Sequence, residues 1–409
     1  MDREQAPVAL FIAALVPGLY TWFHPEGFGF GHGFEMAAIA KNLAATGIYG
    51  NPFEPAITGP TAALPPLYPV FLASLIKIFH EPMCGAVALL INIFVNAIIA
   101  AMLPRVSKTI YGDDLPGIFA GAMWVFTMRL MPQWDTSFTI AGLLLFCLAA
   151  RPWTAGLVAG LLSLLNPLAV VIVAVWTAWR RNLRFAATFV LMLMVCNLPW
   201  VARNYGIWHR LVVRTNFGTT LYSSNNDCAQ ASLLQNGRTG CFQKTHLVQS
   251  SDELALFQRI GEVEYEHRRT IDAVAWIRTH PTRFRELTLE RIFQFWFPEP
   301  EQSPFTVYAT WLVTLVSIPG VVLMARRKAA ALWPFAAIWL IYPLTYYVMV
   351  SCDRYRYPIL WTSLLPAGYW LASLLRDTLR KYEPARFSGI PECAGAAGAT
   401  SELGADLRK

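Results

Sequence analysis

The chain has 409 residues, 55% hydrophobic and 14% charged, where soluble proteins carry roughly 25% charged residues. That deficit, with a mean hydropathy of +0.41, excludes an ordinary soluble domain and predicts an all-α polytopic membrane protein. The net charge of +7 does not read as a nucleic-acid surface, because the basic residues sit in short clusters between apolar runs, the positive-inside pattern.

In chain order, an apolar run at 7–23 follows a short charged start. It lacks a small-residue cleavage site and reads as a retained first span. The segment 24–82 is more than a plain loop. In "GHGFEMAAIAKNLAATGIYG", from Gly31 to Gly50, residues Met36, Ile39, Ala40 and Leu43 recur at helical spacing, so one face suits lipid. Glu35 opens this helix and Asn42 shares its face. His32, just upstream, is a secondary candidate as metal ligand or proton carrier. In "TGPTAALPPLYPVFLASLIKIF", Pro65, Pro66 and Pro69 suit an extended approach and a first helical turn. The apolar run at 67–79 is too short to span and is expected at the interface.

Further spans are expected at 83–104, 115–132, 136–150, 153–166, 168–180 and 185–202. After a long loop at 203–305 come spans at 306–325, 330–350 and 357–376. Asn166-Pro167 is either a turn between two short spans or a kink in one long one. Basic clusters follow alternate spans: Arg105 and Lys108; Arg151; Arg180, Arg181 and Arg184; Arg326, Arg327 and Lys328; Arg376, Arg380 and Lys381. With ten spans and a cytoplasmic N-terminus, every cluster is cytoplasmic. The same count places 24–82, 129–135, 203–305 and 351–358 outside and both termini inside, with a bacterial inner membrane as the expected location. The span-bearing module covers 1–383, and the Ala-, Gly- and Ser-rich tail at 384–409 is expected to be disordered.

Ionisable groups at membrane level are functional candidates, because hydrocarbon penalises them. Glu35 suits a general base, or is a helix-start carboxylate favoured by the dipole. Asp135, in "PQWDTSF", suits the same work, or caps a helix beside Trp134. Arg354 and Arg356 flank Tyr355 in "SCDRYRYP" and need a partner. A phosphate matches the guanidinium fork, and Asp353 is the structural alternative. Arg203, Asn204 and Tyr205, in "LPWVARNYG", suit a phosphate or sugar contact; snorkelling otherwise explains the arginine. In the long loop, Cys228 and Cys241 can close a disulfide worth about 3 kcal/mol, the alternative being two free thiols. Helical patterns at 252–279 and 281–296 follow.

Five stretches, "FEMAAIAKNLAATGIYGNPF", "TGPTAALPPLYPVFLASLIKIF", "WDTSFTIAGLLLF", "LPWVARNYGIW" and "DRYRYPILWTSLLPAGY", stand in an order that covers most of 1–376. Together they resemble the GT-C superfamily of integral membrane glycosyltransferases. The resemblance is to the bacterial family-39-like group, related to protein O-mannosyltransferases and lipid A aminoarabinose transferases. It implies a GT-C-type bundle of about ten spans with interface helices in the first outer loop. It also implies a polyprenyl-phosphate sugar donor in the bilayer and an acceptor that is a protein, lipid or glycan. Such enzymes usually carry an Asp in the first outer loop; here that place falls near His32, and the nearest acid is Glu35. The implied roles are Glu35, with Asp135, as base and Arg354, Arg356 and Arg203 on the leaving phosphate. His32, Asn42, Asn204, Tyr205 and Tyr355 are the implied substrate contacts.

No P-loop or Rossmann fingerprint asks for a nucleotide. No cofactor is expected; a divalent metal stays open, although no ligand cluster demands one. The rival readings are a lipid-linked glycan flippase or transporter, a cell-envelope glycan polymerase or ligase, and a non-catalytic scaffold. A transporter would show repeat halves and polar residues at the bilayer midplane. Here the polar candidates gather at one face.

Overall fold

The computed structural model describes residues 4–24, 30, 34–300 and 304–382. His32 and the tail at 384–409 lie outside the described residues. The helices are α1 (Ala6–Phe23), α2 (Glu35–Thr46), α3 (Leu67–Phe79), α4 (Met83–Tyr111), α5 (Leu115–Thr127), α6 (Thr136–Leu148), α7 (Pro152–Leu165), α8 (Ala169–Arg180) and α9 (Leu183–Trp208). The long loop holds α10 (Phe217–Ser224), α11 (Leu233–Arg238), α12 (Cys241–Thr245), α13 (Ser251–Ile260), α14 (Glu262–Thr279) and α15 (Pro281–Trp296). Then come α16 (Pro304–Arg326), α17 (Leu332–Ile341), α18 (Leu344–Val348), a 3-10 turn (Asp353–Arg356) and α19 (Tyr357–Tyr382). Among the described residues, isolated bridges take the place of strands. A first compact unit takes in Met1–Ala372; the described part of the second is the end of α19.

Among the described residues, five helical segments are long and apolar enough to cross a membrane: α1, α4, α9, α16 and Asp353–Lys381. The 29 residues of α4 reach about 44 Å, against roughly 30 Å of hydrocarbon. The spans expected at 115–132, 136–150, 153–166 and 168–180 are the shorter helices α5 to α8, of 12 to 14 residues, or about 18–21 Å. The span expected at 330–350 divides at Pro343 into α17 and α18. By length and composition five segments are candidate spans, and the ten-span count rests on the basic clusters. Asn166-Pro167 is a turn: the Asn166 backbone is extended, and its Oδ1 accepts the Leu168 N–H at 3.2 Å.

Small residues set the closest helix packing. A Cβ on Gly160 of α7 would sit 2.5 Å from Cys196 Sγ of α9, and one on Gly156 would sit 2.8 Å from the Thr188 carbonyl. Small residues four apart let backbones approach where lipid supplies no hydrophobic drive between helices. Elsewhere the core fills with large aromatics, Trp124, Trp176 and Trp361 being fully buried.

The lipid-facing expectation for α2 is corrected. Met36, Ala37, Ala38, Ile39 and Ala40 are all buried, because the helix lies inside the protein against α3. It is α3 that keeps Val70, Ile78 and Phe79 exposed while burying Tyr68, Leu72 and Leu75, the form an interfacial helix takes.

The segment between α1 and α4 and the long loop are stitched together. Phe53 enters an apolar cluster with Leu247, Phe257 and Tyr265. Glu262 of α14 accepts the Ala62 N–H at 2.8 Å and the Thr215 hydroxyl. Cys228 and Cys241 form a disulfide with Cα atoms 5.5 Å apart. The Ser351 backbone pairs with Ala231 and Leu233 at 2.9 and 3.0 Å, which docks the long loop on the turn before α19.

Candidate active site

Glu35 is the first residue of α2, preceded by extended backbone at Phe34. A carboxylate there complements the exposed N–H groups of the first turn. Behind it the Phe34 ring meets Trp134 edge-on at 5.9 Å. Trp134 in turn carries Arg354, whose guanidinium lies 3.3 Å from the ring centroid, a close cation–π contact.

Arg354 is the hub. Glu35 and Tyr355 lie within its electrostatic reach, as does Asp135. Asp353, its expected structural partner, is taken instead by Arg129. Arg129 therefore frees Arg354 from its sequence neighbour, so its charge faces the site. Tyr355 stacks on Tyr346 with centroids 4.5 Å apart, which fixes one wall.

Asp135 precedes α6 and is buried, with 7% exposure. Its side chain does not cap α6. Its Oδ2 accepts from Thr139 at 2.8 Å and from Asn166 at 3.2 Å. Burial pushes its carboxyl above the usual range, and Thr139, Arg354 and Asn166 pull it back. The turn at Asn166-Pro167 thus holds a site carboxylate.

Five other expected ligands have these surroundings. Arg203 donates to the Thr61 carbonyl at 2.7 Å, the Tyr49 carbonyl at 2.7 Å and Asn204 Oδ1 at 2.8 Å. It also sits among the rings of Tyr49, Trp200 and Trp208. Its fork is spent on clamping the segment between α2 and α3 to α9. Asn204, fully buried, donates to the Val212 carbonyl at 2.9 Å. Arg356, 1% exposed, donates to the Trp296 carbonyl at 2.6 Å and Ser363 Oγ at 3.4 Å, pinning α15 to α19. Asn42 donates to the Ile48 carbonyl at 2.7 Å and accepts from Asn51 at 2.9 Å; it builds the turn after α2. Tyr205 is exposed and packs on His209, with no contact to the other candidates.

The clamp carries its own prediction. Arg203→Ala leaves two backbone carbonyls without a charged donor and destabilises the protein by about 3 kcal/mol. The thermal unfolding midpoint in detergent should fall, with the donor KM little changed. A raised KM at an unchanged midpoint would restore the phosphate role.

Two residues join the site that sequence patterns did not mark. Arg214 donates through Nε to the Ala63 carbonyl at 3.1 Å. Tyr346, Asp135, Tyr355 and Tyr49 are all within its electrostatic reach. It lines an open recess of about 390 Å³ between the segment 211–218, after α9, and α14. Leu211, Val213 and Phe217 at the recess are exposed. His246 follows α12, and its Nε2 lies 3.9 Å from Glu35 Oε1. Neither residue sits in a motif, and both come from the loop after α9, remote in sequence from what they meet. The open metal question finds no donor set: among the described residues no three His, Cys, Asp or Glu side chains are grouped to hold an ion.

Comparison with solved structures gives the same fold in a larger protein. The Archaeoglobus fulgidus oligosaccharyltransferase in the apo form matches with a TM-score of 0.55 at 12% identity, over 93% of this chain and 51% of that one. The same organism's oligosaccharyltransferase AglB, in complex with an inhibitory peptide and a dolichol-phosphate, matches with a TM-score of 0.54 at 12% identity, over 98% and 52%. This chain spans about half their length. At that identity the likeness is one of fold. The family-39 affinity rests on the sequence stretches alone. No family model matches the sequence, and no curated protein does.

Proposed function

We propose that the chain is an integral membrane glycosyltransferase. It moves a sugar from a polyprenyl-phosphate-linked donor to an acceptor hydroxyl on the extracytoplasmic face of a bacterial inner membrane, with both termini cytoplasmic. One observation carries this reading: Glu35, Asp135 and Arg354, from three distant segments, share one electrostatic neighbourhood at the end of the bundle. A fold shared with an oligosaccharyltransferase that has been seen with a dolichol-phosphate supports it.

The chemistry needs a base, a cationic cradle and an approach for lipid. Glu35 takes the proton of the acceptor hydroxyl as the oxygen attacks the anomeric carbon. The bond from that carbon to the phosphate oxygen breaks, and the polyprenyl phosphate leaves with the electron pair. Arg354 and Arg214 stabilise its growing charge. The recess beside Arg214, with its exposed apolar rim, suits the lipid end of the donor. Asp135 orients and balances Arg354. The roles first given to Arg203 and Arg356 pass to Arg214, because carbonyls take terminal nitrogens of both of those arginines, while Arg214 meets the Ala63 carbonyl through Nε.

The test is donor turnover by purified protein in liposomes. A radiolabelled panel of polyprenyl-phosphate sugars should lose label to acceptor or water, leaving polyprenyl phosphate. A protein that moves donor across the bilayer without consuming it is a flippase, and this reading then fails. Growth of product beyond one sugar marks the polymerase alternative, which uses the same atoms.

A further inference from the structure

One side chain of the long loop reaches the proposed base. His246 Nε2 lies 3.9 Å from Glu35 Oε1, and both side chains are about a quarter exposed, at 27% and 24%. The ring is oriented by its own backbone: Nδ1 accepts the Val248 N–H at 3.3 Å, and Phe242 meets the ring edge-on at 5.3 Å. An imidazole that accepts at Nδ1 carries its proton at Nε2. A donor therefore faces the carboxylate whether the ring is neutral or charged.

The backbone around His246 is held at both ends. Upstream, the disulfide to Cys228 anchors the first residue of α12. Downstream, the His246 carbonyl accepts from Gln249 and Ser250 at 2.9 and 2.8 Å, and Ser250 Oγ caps α13. Between them Leu247, 1% exposed, is packed with Phe53 and Phe257. Nothing in this packing requires Nε2 to point at an acid.

His246 does not serve as the base itself. Its Nδ1 lone pair is used, and its Nε2 bears the proton. What it can do is hold one carboxylate oxygen. The 3.9 Å separation is about 1 Å beyond a hydrogen bond, and contacts of this kind tighten when substrate arrives. With Oε1 held, Oε2 is presented to the acceptor hydroxyl.

We propose that His246 is the positioning residue for Glu35, and that the disulfide-braced segment 241–250 carries it to the site. The proposal rests on the glycosyltransferase reading. It makes the long loop part of the catalytic assembly as well as a cover.

The test uses the full chain in liposomes with the same radiolabelled polyprenyl-phosphate sugars, reading kcat and donor KM separately. His246→Ala should lower kcat about 10- to 100-fold, the scale of losing a group that orients a catalytic one, with donor KM unchanged. His246→Gln places an amide nitrogen where Nε2 was and should restore most of the rate. His246→Asn places it where Nδ1 was and should not. Equal losses in all three variants, or losses that track a lowered unfolding midpoint, mark a structural histidine and overturn the proposal. Full activity in His246→Ala beside an inactive Glu35→Gln overturns it while the glycosyltransferase reading stands. An active Glu35→Gln removes the base that His246 would position and overturns the proposal, while the glycosyltransferase reading then stands or falls with Asp135→Asn.

Discussion

Glu35→Gln should abolish sugar transfer while leaving the donor bound. The expected loss in kcat is about 10²–10⁴-fold, the usual worth of a general base. The substitution keeps shape and volume and removes only the capacity to take a proton. Met36 to Ala40 stay buried, so α2 should hold and the unfolding midpoint should not move. Asp135→Asn makes the contrast. Its carboxylate is already engaged by Thr139 and Asn166, and it acts on Arg354 rather than on the acceptor. The loss there should be smaller and shared between kcat and KM. Should Asp135→Asn be inactive and Glu35→Gln remain active, the base is Asp135, and Glu35 is only a favourable start to α2.

Arg354→Ala should be nearly as damaging, for a different reason. Its charge is aimed at the site by Trp134 and is not neutralised by Asp353, which pairs with Arg129. A guanidinium held this way costs no reorganisation when negative charge develops on the leaving phosphate. Removing it should lower kcat about 10²–10³-fold, on the scale of one lost transition-state donor. Arg354→Lys should recover little, since an ammonium lacks both the planar fork and the stacking face. The measurement is single-turnover release of polyprenyl phosphate. An unaffected rate in Arg354→Ala would hand the phosphate to Arg214 alone.

The arginines show where sequence reasoning stops. Arg203, Arg354 and Arg356 look alike in sequence: each lies next to an apolar span and beside aromatic residues. Their fates differ by which oxygens arrive near them. Arg203 meets carbonyls of Tyr49 and Thr61, and Arg356 meets the carbonyl of Trp296. Arg354 meets an aromatic face. No local pattern encodes those partners, because they come from other segments of the chain. Asn42 failed as a substrate contact for a similar reason, since its amide closes the turn built around Asn51.

The sequence by itself determined that this chain is a helical membrane protein with an acid opening a short helix after its first span. It also marked Asp135 and Arg354 as out of place in an apolar setting. These properties follow from composition, from period and from the cost of ionised groups in hydrocarbon, all of which act locally. The tertiary structure alone decided which helices are long enough to cross, and that α2 is buried rather than laid on lipid. It alone set His246 beside Glu35 and gave Arg203 and Arg356 their backbone carbonyl partners. Burial and hydrogen-bond satisfaction are properties of the assembled chain, and a polar side chain takes its role from whatever donor or acceptor folding leaves within about 3 Å.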